Sequence, residues 1–383
     1  MEKNSHIAPF CAFATIIKHK CQALATVLNN IITDHLVYLW MNKERHDISE
    51  AIPLHRVAIV RPFTRFLADI GAPVERRFRL AGLPYSALGN VDNYVPSHRF
   101  RKFLVNMACS EGIEDLGFRT GEKFGADCAD PKMTALLLQA PTLYQGLLKA
   151  SELVNRTVSY CRIGIRQPPN SGYAYFYYHP SCKADNPAID QVGWYGVMAL
   201  LGMVRVYTGP QWQPSEIGLP TDQTPCRYIL EHFPYTRMCQ SQACFYIALE
   251  NALLSLPPLP REAAMQAASS GDYLPLQRNF VSSLEQVLLS YVQERDLSIE
   301  LAAGLCNTST RTLQRRLGKM GTRYTEVLDH ARFHAACRML DNPAMTMTDI
   351  AQQLGYSDVP HFIRFFRRIA GVTPVAYREQ FMP

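Results

Sequence analysis

Apolar residues near the C-terminal end of the chain recur at helical spacing in two similar blocks, Leu297 to Met320 and Thr346 to Ala370. In the first block Ser298 is placed to cap a short helix through Leu305. Asn307 then supplies a residue that tolerates the left-handed turn conformation, and a second helix runs from Ser309 to Lys319. In the second block Thr346 opens a helix with Asp349 three residues on, a capping-box start. That helix carries Ile350, Ala351 and Leu354 and stops at Gly355, and another follows from about Asp358 to Ile369. The pattern predicts a helix-turn-helix, written twice.

The two second helices divide into faces. At about 100° per residue, Leu313, Leu317 and Met320 fall on one side of the first, and Arg311, Gln314 and Arg315 on the other. Arginine can bind guanine O6 and N7 bidentately, and glutamine can do the same to adenine N6 and N7. Arg316 and Lys319 flank that face and suit phosphates. In the later helix Phe362, Phe366 and Ile369 make the core side. Pro360, His361 and Arg364 are its candidate base contacts, with Arg367 and Arg368 beside them for phosphates. Either helix alone would also read as an ordinary amphipathic helix with a solvated basic face. Repetition at matched positions points instead to double-stranded DNA read in two successive stretches.

The run from Leu297 through Arg378 resembles the DNA-binding domain of the AraC/XylS family of bacterial transcription regulators. The matching pieces are STRTLQRRL, DIAQQLGYSDVPHFIRFFRR and the tail GVTPVAYR. Tyr324 to Leu340 resembles the family's linker helix, with Arg332, Ala336 and Leu340 at the matching positions. The resemblance implies an all-α domain of seven helices that puts two recognition helices into adjacent major-groove segments on one face of DNA. Val359 and Pro360 depart from it, standing where the family often has polar residues. Spacing agrees: successive major-groove segments lie about 34 Å apart, and a helix of roughly 17 residues spans about 25 Å before the flanking hairpins are added. Thr373 and Pro374 form an N-cap and first-turn pair for a closing helix, which Tyr377 and Arg378 pack or anchor.

Upstream, from about Pro62 to Leu259, helical and strand patterns mix. Phe63 to Ala81 is helical, broken by Gly71-Ala72-Pro73, and Ser97 is positioned to cap a helix carrying Phe100, Phe103, Leu104 and Met107. Helices follow from Asp130-Pro131 through Leu138 and from Pro141-Thr142 through Val158. Residues 161–167 and 173–179 read as a hairpin around 168–172. Ile189 to Val206 is an apolar helix, Trp212 to Ile217 a strand, and Ala243 to Leu254 fits helix or strand equally. The stretches LGFRTGEKFG, LLLQAPTLYQGLLKASELVNRTVSY and WQPSEIGLP resemble the arabinose-binding-type N-terminal domain of one branch of the same family. That resemblance implies effector binding, dimerisation or both.

The expected fold class is an α+β N-terminal sensing domain followed by an all-α double helix-turn-helix DNA-binding domain. The expected organisation is an N-terminal extension over residues 1–55, the effector or dimerisation domain over 56–260, a linker over 261–277 and the DNA-binding domain over 278–383. Within the extension, residues 22–40 carry an amphipathic stripe, and the alternative is a start at Met41.

Composition narrows the chemistry. A net charge of +6 over 383 residues suits DNA contact concentrated on one face rather than a generally basic protein. Eleven cysteines with no C-x-x-C pair read as reduced, mostly buried cytosolic thiols, among them Cys109, Cys128, Cys161, Cys306 and Cys337. The apolar stretch after Lys18 and Lys20 is too interrupted for a signal peptide or a membrane span, so the expected setting is the cytoplasm. No phosphate loop, G-x-G-x-x-G or G-x-S-x-G motif is present. Pro225-Cys226-Arg227 is similar to the Pro-Cys-His-Arg nucleophile of alkyl-transferases but lacks the histidine. His330 and His334 have metal-pair spacing without a third ligand, and read as solvated. No catalytic residue, cofactor or metal is expected.

For an effector, Arg162 and Arg166 alternate with Ile163 and Ile165, and Tyr173, Tyr175 and Tyr177 share one face of the partner strand. An arginine with aromatics suits a carboxylate, so Arg162, Arg166, Tyr173 and Tyr175 are the candidate pocket, against plain sheet surface. The expected partners are double-stranded DNA, RNA polymerase, an unidentified small molecule and a second copy of the chain, with family habit favouring activation. An architectural DNA binder without a ligand is the competing class.

Overall fold

The computed structural model describes residues 51–124, 131–259, 279–294 and 297–381. The stripe at 22–40, Cys128, Asp130 and the linker at 261–277 lie outside the described residues. Strand β1 (Leu54–Arg56) pairs antiparallel with β2 (Tyr94–Pro96), and between them run α1 (Val57–Asp69) and α2 (Val74–Leu80). Helix α1 buries Val57, Val60, Phe63, Phe66 and Leu67, and Gly71 at φ 79° closes the turn after it. Then come α3 (Ser97–Glu111), α4 (Leu116–Phe124), α5 (Pro131–Leu138) and α6 (Leu143–Thr157). Ser97 is not the expected cap. It is the first helical residue, and its hydroxyl instead meets His55 Nδ1 at 2.8 Å in the interior.

The hairpin forms as expected, β3 (Cys161–Arg166) against β4 (Tyr173–Pro180), with Asn170 at φ 59° in the turn. Helix α7 (Ile189–Thr208) follows, then β5 (Glu216–Gly218), α8 (Arg227–His232), β6 (Arg237–Cys239) and β7 (Phe245–Glu250). The strands make one sheet in the order β3-β4-β7-β5-β6, antiparallel except for β5 beside β6. The strand expected from Trp212 shrinks to Glu216–Gly218, since Pro214 has no N–H to give a ladder. Ala243 to Leu254 resolves into strand β7 and a 3-10 turn at Asn251–Ser255. Helix α8 and strand β6 carry no clear periodicity and went unread.

One sheet face supports the core. Ile165, Phe176, Ile247 and Ile217 stand in one cross-strand row, and Ile163, Tyr178 and Phe245 in the next. Helix α7 lies close on these rows because two of its contact positions are glycine. A Cβ at Gly193 would stand 1.9 Å from Cζ of Phe245, and one at Gly196 would stand 2.5 Å from the Tyr178 ring.

The C-terminal part contains seven helices among the described residues. They are α9 (Phe280–Tyr291), α10 (Ile299–Leu305), α11 (Thr310–Lys319), α12 (Tyr324–Leu340), α13 (Met347–Gln353), α14 (Val359–Ala370) and α15 (Pro374–Phe381). Their core holds Leu313, Leu317, Ala331, Leu340, Phe362 and Phe366. Met320, expected on that side, is 38% exposed, because α11 ends at Lys319 and the chain turns away at Gly321.

Two residues from the expected N-terminal extension also enter this core: Ile52 and Leu54 are 4% and 1% exposed and pack with α9. The Ile52 amide donates to Ser283 Oγ at 3.0 Å, and the Tyr94 amide donates to Ser290 Oγ at 2.9 Å. Both serines are buried on α9, where they look like flaws in an apolar stripe. Their hydroxyls satisfy the amide of Ile52, just before β1, and that of Tyr94 in β2, donors that the packing of α9 shields from water. Tyr291 OH donates to the Gly82 carbonyl at 2.9 Å, closing the seam. Leu54→Ala is therefore expected to destabilise the C-terminal helical part by about 2–5 kcal/mol, the range for truncating a buried leucine. Urea unfolding of the full chain, followed by far-UV circular dichroism, measures it. An unchanged midpoint would remove the ribbon from that core.

Candidate nucleic-acid interface and adjoining cavity

Each helix of the two hairpins starts on a side-chain cap. Ser298 Oγ accepts from the Leu301 amide at 3.2 Å, and Ser309 Oγ accepts from Thr312 at 3.3 Å. Thr346 and Asp349 satisfy each other's amides at 3.1 Å, and Asp358 Oδ1 accepts from the His361 amide at 2.7 Å. The Thr346 hydroxyl holds Asp349 below the usual carboxylate range, and the His361 amide does the same for Asp358. The turns use Asn307 at φ 52° and Gly355 at φ 80°. These bonds fix where α11 and α14 begin, and so which residues each presents.

On α11, Arg311, Gln314, Arg315 and Lys319 are exposed, while Leu313 and Leu317 are buried beneath them. Arg316 lies differently from its neighbours: it is half-buried, with its guanidinium 4.0 Å from the centre of the Phe280 ring. On α14, Pro360, His361, Arg364, Arg367 and Arg368 are exposed above Phe362, Phe365 and Phe366. The His361 ring rests edge-on against Tyr356 at 5.2 Å. Arg368 reaches back to Asp329 of α12 at 2.6 Å.

Helix α12 is anchored at both ends. Tyr324 OH donates to the Leu297 carbonyl at 2.7 Å, and Arg378 donates to the carbonyls of Leu340 and Met345 at 3.2 and 2.9 Å. The Tyr377 ring meets Phe366 at 5.4 Å, so the closing helix packs as expected. This helix of 17 residues thereby joins the two helical hairpins.

The candidate effector residues lie on the outer face of the sheet. Arg162 donates to the carbonyls of Asn155 and Val158 at 3.2 and 3.4 Å, stopping the end of α6 where carbonyls lack helical partners. Arg166 is half-buried in register with Tyr175, the Tyr175 ring stands edge-on to Tyr246 at 5.2 Å, and Tyr173 is 37% exposed. None of these four lines the large cavity, which opens on the opposite side. That cavity has a volume of about 1450 Å³ and is walled by α1, the end of α6, the start of β3 and α7. Alternation along β3 and β4 decides the matter: Ile163 and Tyr178 face the cavity, and Arg162, Arg166, Tyr173 and Tyr175, at the alternate positions, face away.

His55 sits in the cavity wall, stacked at 3.9 Å on Tyr160. Burial, helped by Arg101, holds its imidazole pKa well below the ordinary value, so it is neutral. The Tyr160 phenol is pushed up by the same burial. No continuous motif connects residues 55, 160, 178 and 195, and sequence reading missed this site for that reason.

Other candidates resolve plainly. His334 Nε2 lies 3.2 Å from Glu285 and His330 is exposed, and no group of three metal-ligating side chains occurs among the described residues. Burial raises the Cys226 thiol, the opposite of an activated nucleophile. Cys161 is buried, Cys306 and Cys337 are half-buried, and Cys109 is exposed, contrary to the mostly buried expectation. No helix among the described residues is long and apolar enough to cross a membrane.

These features define a class: a mixed α/β domain that walls most of a large cavity, joined to a paired helix-turn-helix module. A family model described as the arabinose-binding domain of AraC transcription regulators matches residues 71–245, and one described as a helix-turn-helix domain matches residues 302–380. The chain belongs to the AraC family of transcription regulators. The Ornithine utilization regulator of Pseudomonas aeruginosa is 34% identical over 106 residues, 28% of this chain and 31% of that protein. The regulator VirS of Mycobacterium tuberculosis is 32% identical over 106 residues, with the same coverage of 28% and 31%. The chain thus matches 31% of the length of each of these relatives. The regulator CdpR from Pseudomonas aeruginosa aligns with 80% of this chain and 96% of its own at 21% identity, with a TM-score of 0.36, too loose for comparing geometry.

The buried histidine has a consequence for stability. Unfolding frees His55 to take a proton near its ordinary value of 6.5, which the folded state refuses until lower pH. The unfolded chain then binds more protons, so stability falls as pH drops below about 6.5. His55→Gln, which keeps a partner for Ser97 and does not titrate, is expected to flatten the decline in urea midpoint between pH 7.5 and 5.5. Identical pH profiles for both proteins would exclude His55 as the source.

Proposed function

We propose that this chain is a sequence-specific, effector-responsive transcription activator that reads two adjacent major-groove segments with α11 and α14. The observation that carries this is the pair of capped helices, each with exposed arginines, held on one anchored linker helix. Arg311, Gln314 and Arg315 are the base readers of the first segment. Arg364 and His361, with Pro360 in contact, serve the second. Lys319 and Arg367 are exposed and meet phosphates, and Arg316 and Arg368 join them from positions set by Phe280 and Asp329. An exposed ion pair is worth only about 0–1 kcal/mol, so Asp329 orients Arg368 without withholding it from DNA.

In this reading the α/β domain binds a small molecule in its cavity and changes DNA affinity by favouring one arrangement of the two halves. A second copy of the chain and RNA polymerase are its protein partners, and it works in the cytoplasm. Footprinting on the DNA upstream of its own coding region supplies the operator for the tests.

Arg311→Ala and Arg364→Ala are each expected to weaken operator binding by about 1–3 kcal/mol and relax base preference in one segment. Gel-shift titrations on operators changed one base at a time decide it; unchanged preference in both variants removes the base-reading assignment. Lys319→Ala is expected to weaken specific and non-specific DNA alike, lowering the salt slope by about 1. A loss confined to the cognate sequence, with the slope unaltered, would make Lys319 a base reader instead.

A further inference from the structure

The cavity is not walled by the α/β domain alone. Gln286 and Leu289 of α9 and Arg338 of α12 complete its lining. We propose that it binds an amphipathic anion, a long apolar body with one acidic head, and that Arg338 on the linker helix holds the head. This rests on the effector-responsive reading above and names the ligand class and the contact through which it acts.

The apolar part follows from the deep wall, where Phe63, Phe100, Val154, Leu200 and Met203 meet the space. Ligand pockets typically occupy about 300–1000 Å³, and this one, at about 1450 Å³, has room for a long body. The anionic part follows from the charged lining. It contains four arginines, Arg56, Arg61, Arg65 and Arg338, against one carboxylate, Asp92, which is already paired with Arg56. Arg56 stands in register with Tyr94, and Arg338 reaches the neighbouring Asn93, so the two guanidinium groups share one end of the cavity. There Arg338 Nη1 contacts only the neutral Asn93 amide oxygen among the partners described, at a long 3.3 Å.

A second observation points to the same end. Gln286 Oε1 is buried without a hydrogen-bond partner among the described residues. A side-chain amide can be turned over, and Gln286 then offers its NH2 group to an anion. A free sugar fits less well. Its hydroxyls need many donors and acceptors around the body, and the lining places its exposed arginines over an interior that is mainly aliphatic and aromatic. Because α12 joins both recognition hairpins, a head group that engages Arg338 acts on the element that sets their spacing.

The test uses the full chain with decanoate, decanol and L-arabinose as probes. Calorimetric titration and thermal melts read binding, and operator titrations with and without decanoate read coupling. Decanoate is expected to raise the melting temperature and bind at least tenfold more tightly than decanol, with no shift from arabinose. Arg338→Met, which removes the cation at an exposed position, is expected to weaken decanoate at least tenfold and abolish its effect on operator affinity while its circular dichroism is retained. Ala199→Phe, which fills part of the cavity, is expected to lose decanoate binding while its circular dichroism is retained. Equal binding of decanol, binding of arabinose in place of decanoate, or decanoate binding indifferent to Arg338→Met overturns the proposal. Absent decanoate binding with operator recognition intact sinks the ligand assignment alone. Decanoate held through Arg338 without any specific DNA supports the site and sinks the regulator reading.

Discussion

Ser283 and Ser290 lie two turns apart on α9, on the face covered by the β1–β2 ribbon, and each accepts one of its backbone amides. A short ribbon has too few internal bonds to be stable alone. It is held because these hydroxyls satisfy its donors while Ile52 and Leu54 fill the core between α9 and the rest of the helical domain. The same ribbon leads directly into α1 and α3, which wall the α/β domain. One helix thus supports two cores, and it can do so only because its polar positions have partners on the other side. Arg99 and His98 extend this seam to Gly304, at the end of the first helix of the first hairpin.

The recognition helices reconcile two demands. Each must bury enough apolar surface to stay put, at about 1.5–3 kcal/mol per large side chain, and keep its cations in water. Helix α14 manages with Phe362, Phe365 and Phe366 beneath and four cationic or ionisable residues above. Helix α11 has fewer apolar residues and gains an arginine stacked on a neighbouring ring instead. Such a contact contributes about 0.5–1 kcal/mol or more when desolvated. The capping bonds matter because a helix shifted by one residue rotates every side chain by about 100° and presents a different set on its exposed face.

In the sheet, each face has its own filling. Inward, glycines of α7 let the helix approach the aromatic rows. Outward, the rings of Tyr177 and Tyr246 lie over Gly164 and Gly218, where a Cβ would stand 2.4 and 2.0 Å from them. Tyr246 OH donates to Glu216 at 2.6 Å, and Glu216 is also paired with Arg237. The outer aromatics thus pack onto the glycine positions of that face, while the cavity belongs to the inner face and to the seam.

The sequence by itself determined the helical hairpins, down to Ser298 and Thr346 as caps, Ser309 and Asp358 as helix starts, and Asn307 and Gly355 as turns. Those are local choices, made by a side chain and a backbone within three or four residues of each other. It also determined the hairpin of the sheet and which residues of β3 and β4 share a face, since alternation is local too. Tertiary structure alone decided which face meets a cavity, and the candidate Arg162 and Tyr175 fell on the other side. It decided that Ser97 serves a buried histidine, that Ser283 and Ser290 bind a distant ribbon, and that Trp212 stays out of the sheet. Arg56, Tyr160, Tyr195 and Arg338 come together only when α1, α7 and α12 pack, across hundreds of residues. No periodicity records such a meeting, because it depends on how several elements fill space at once.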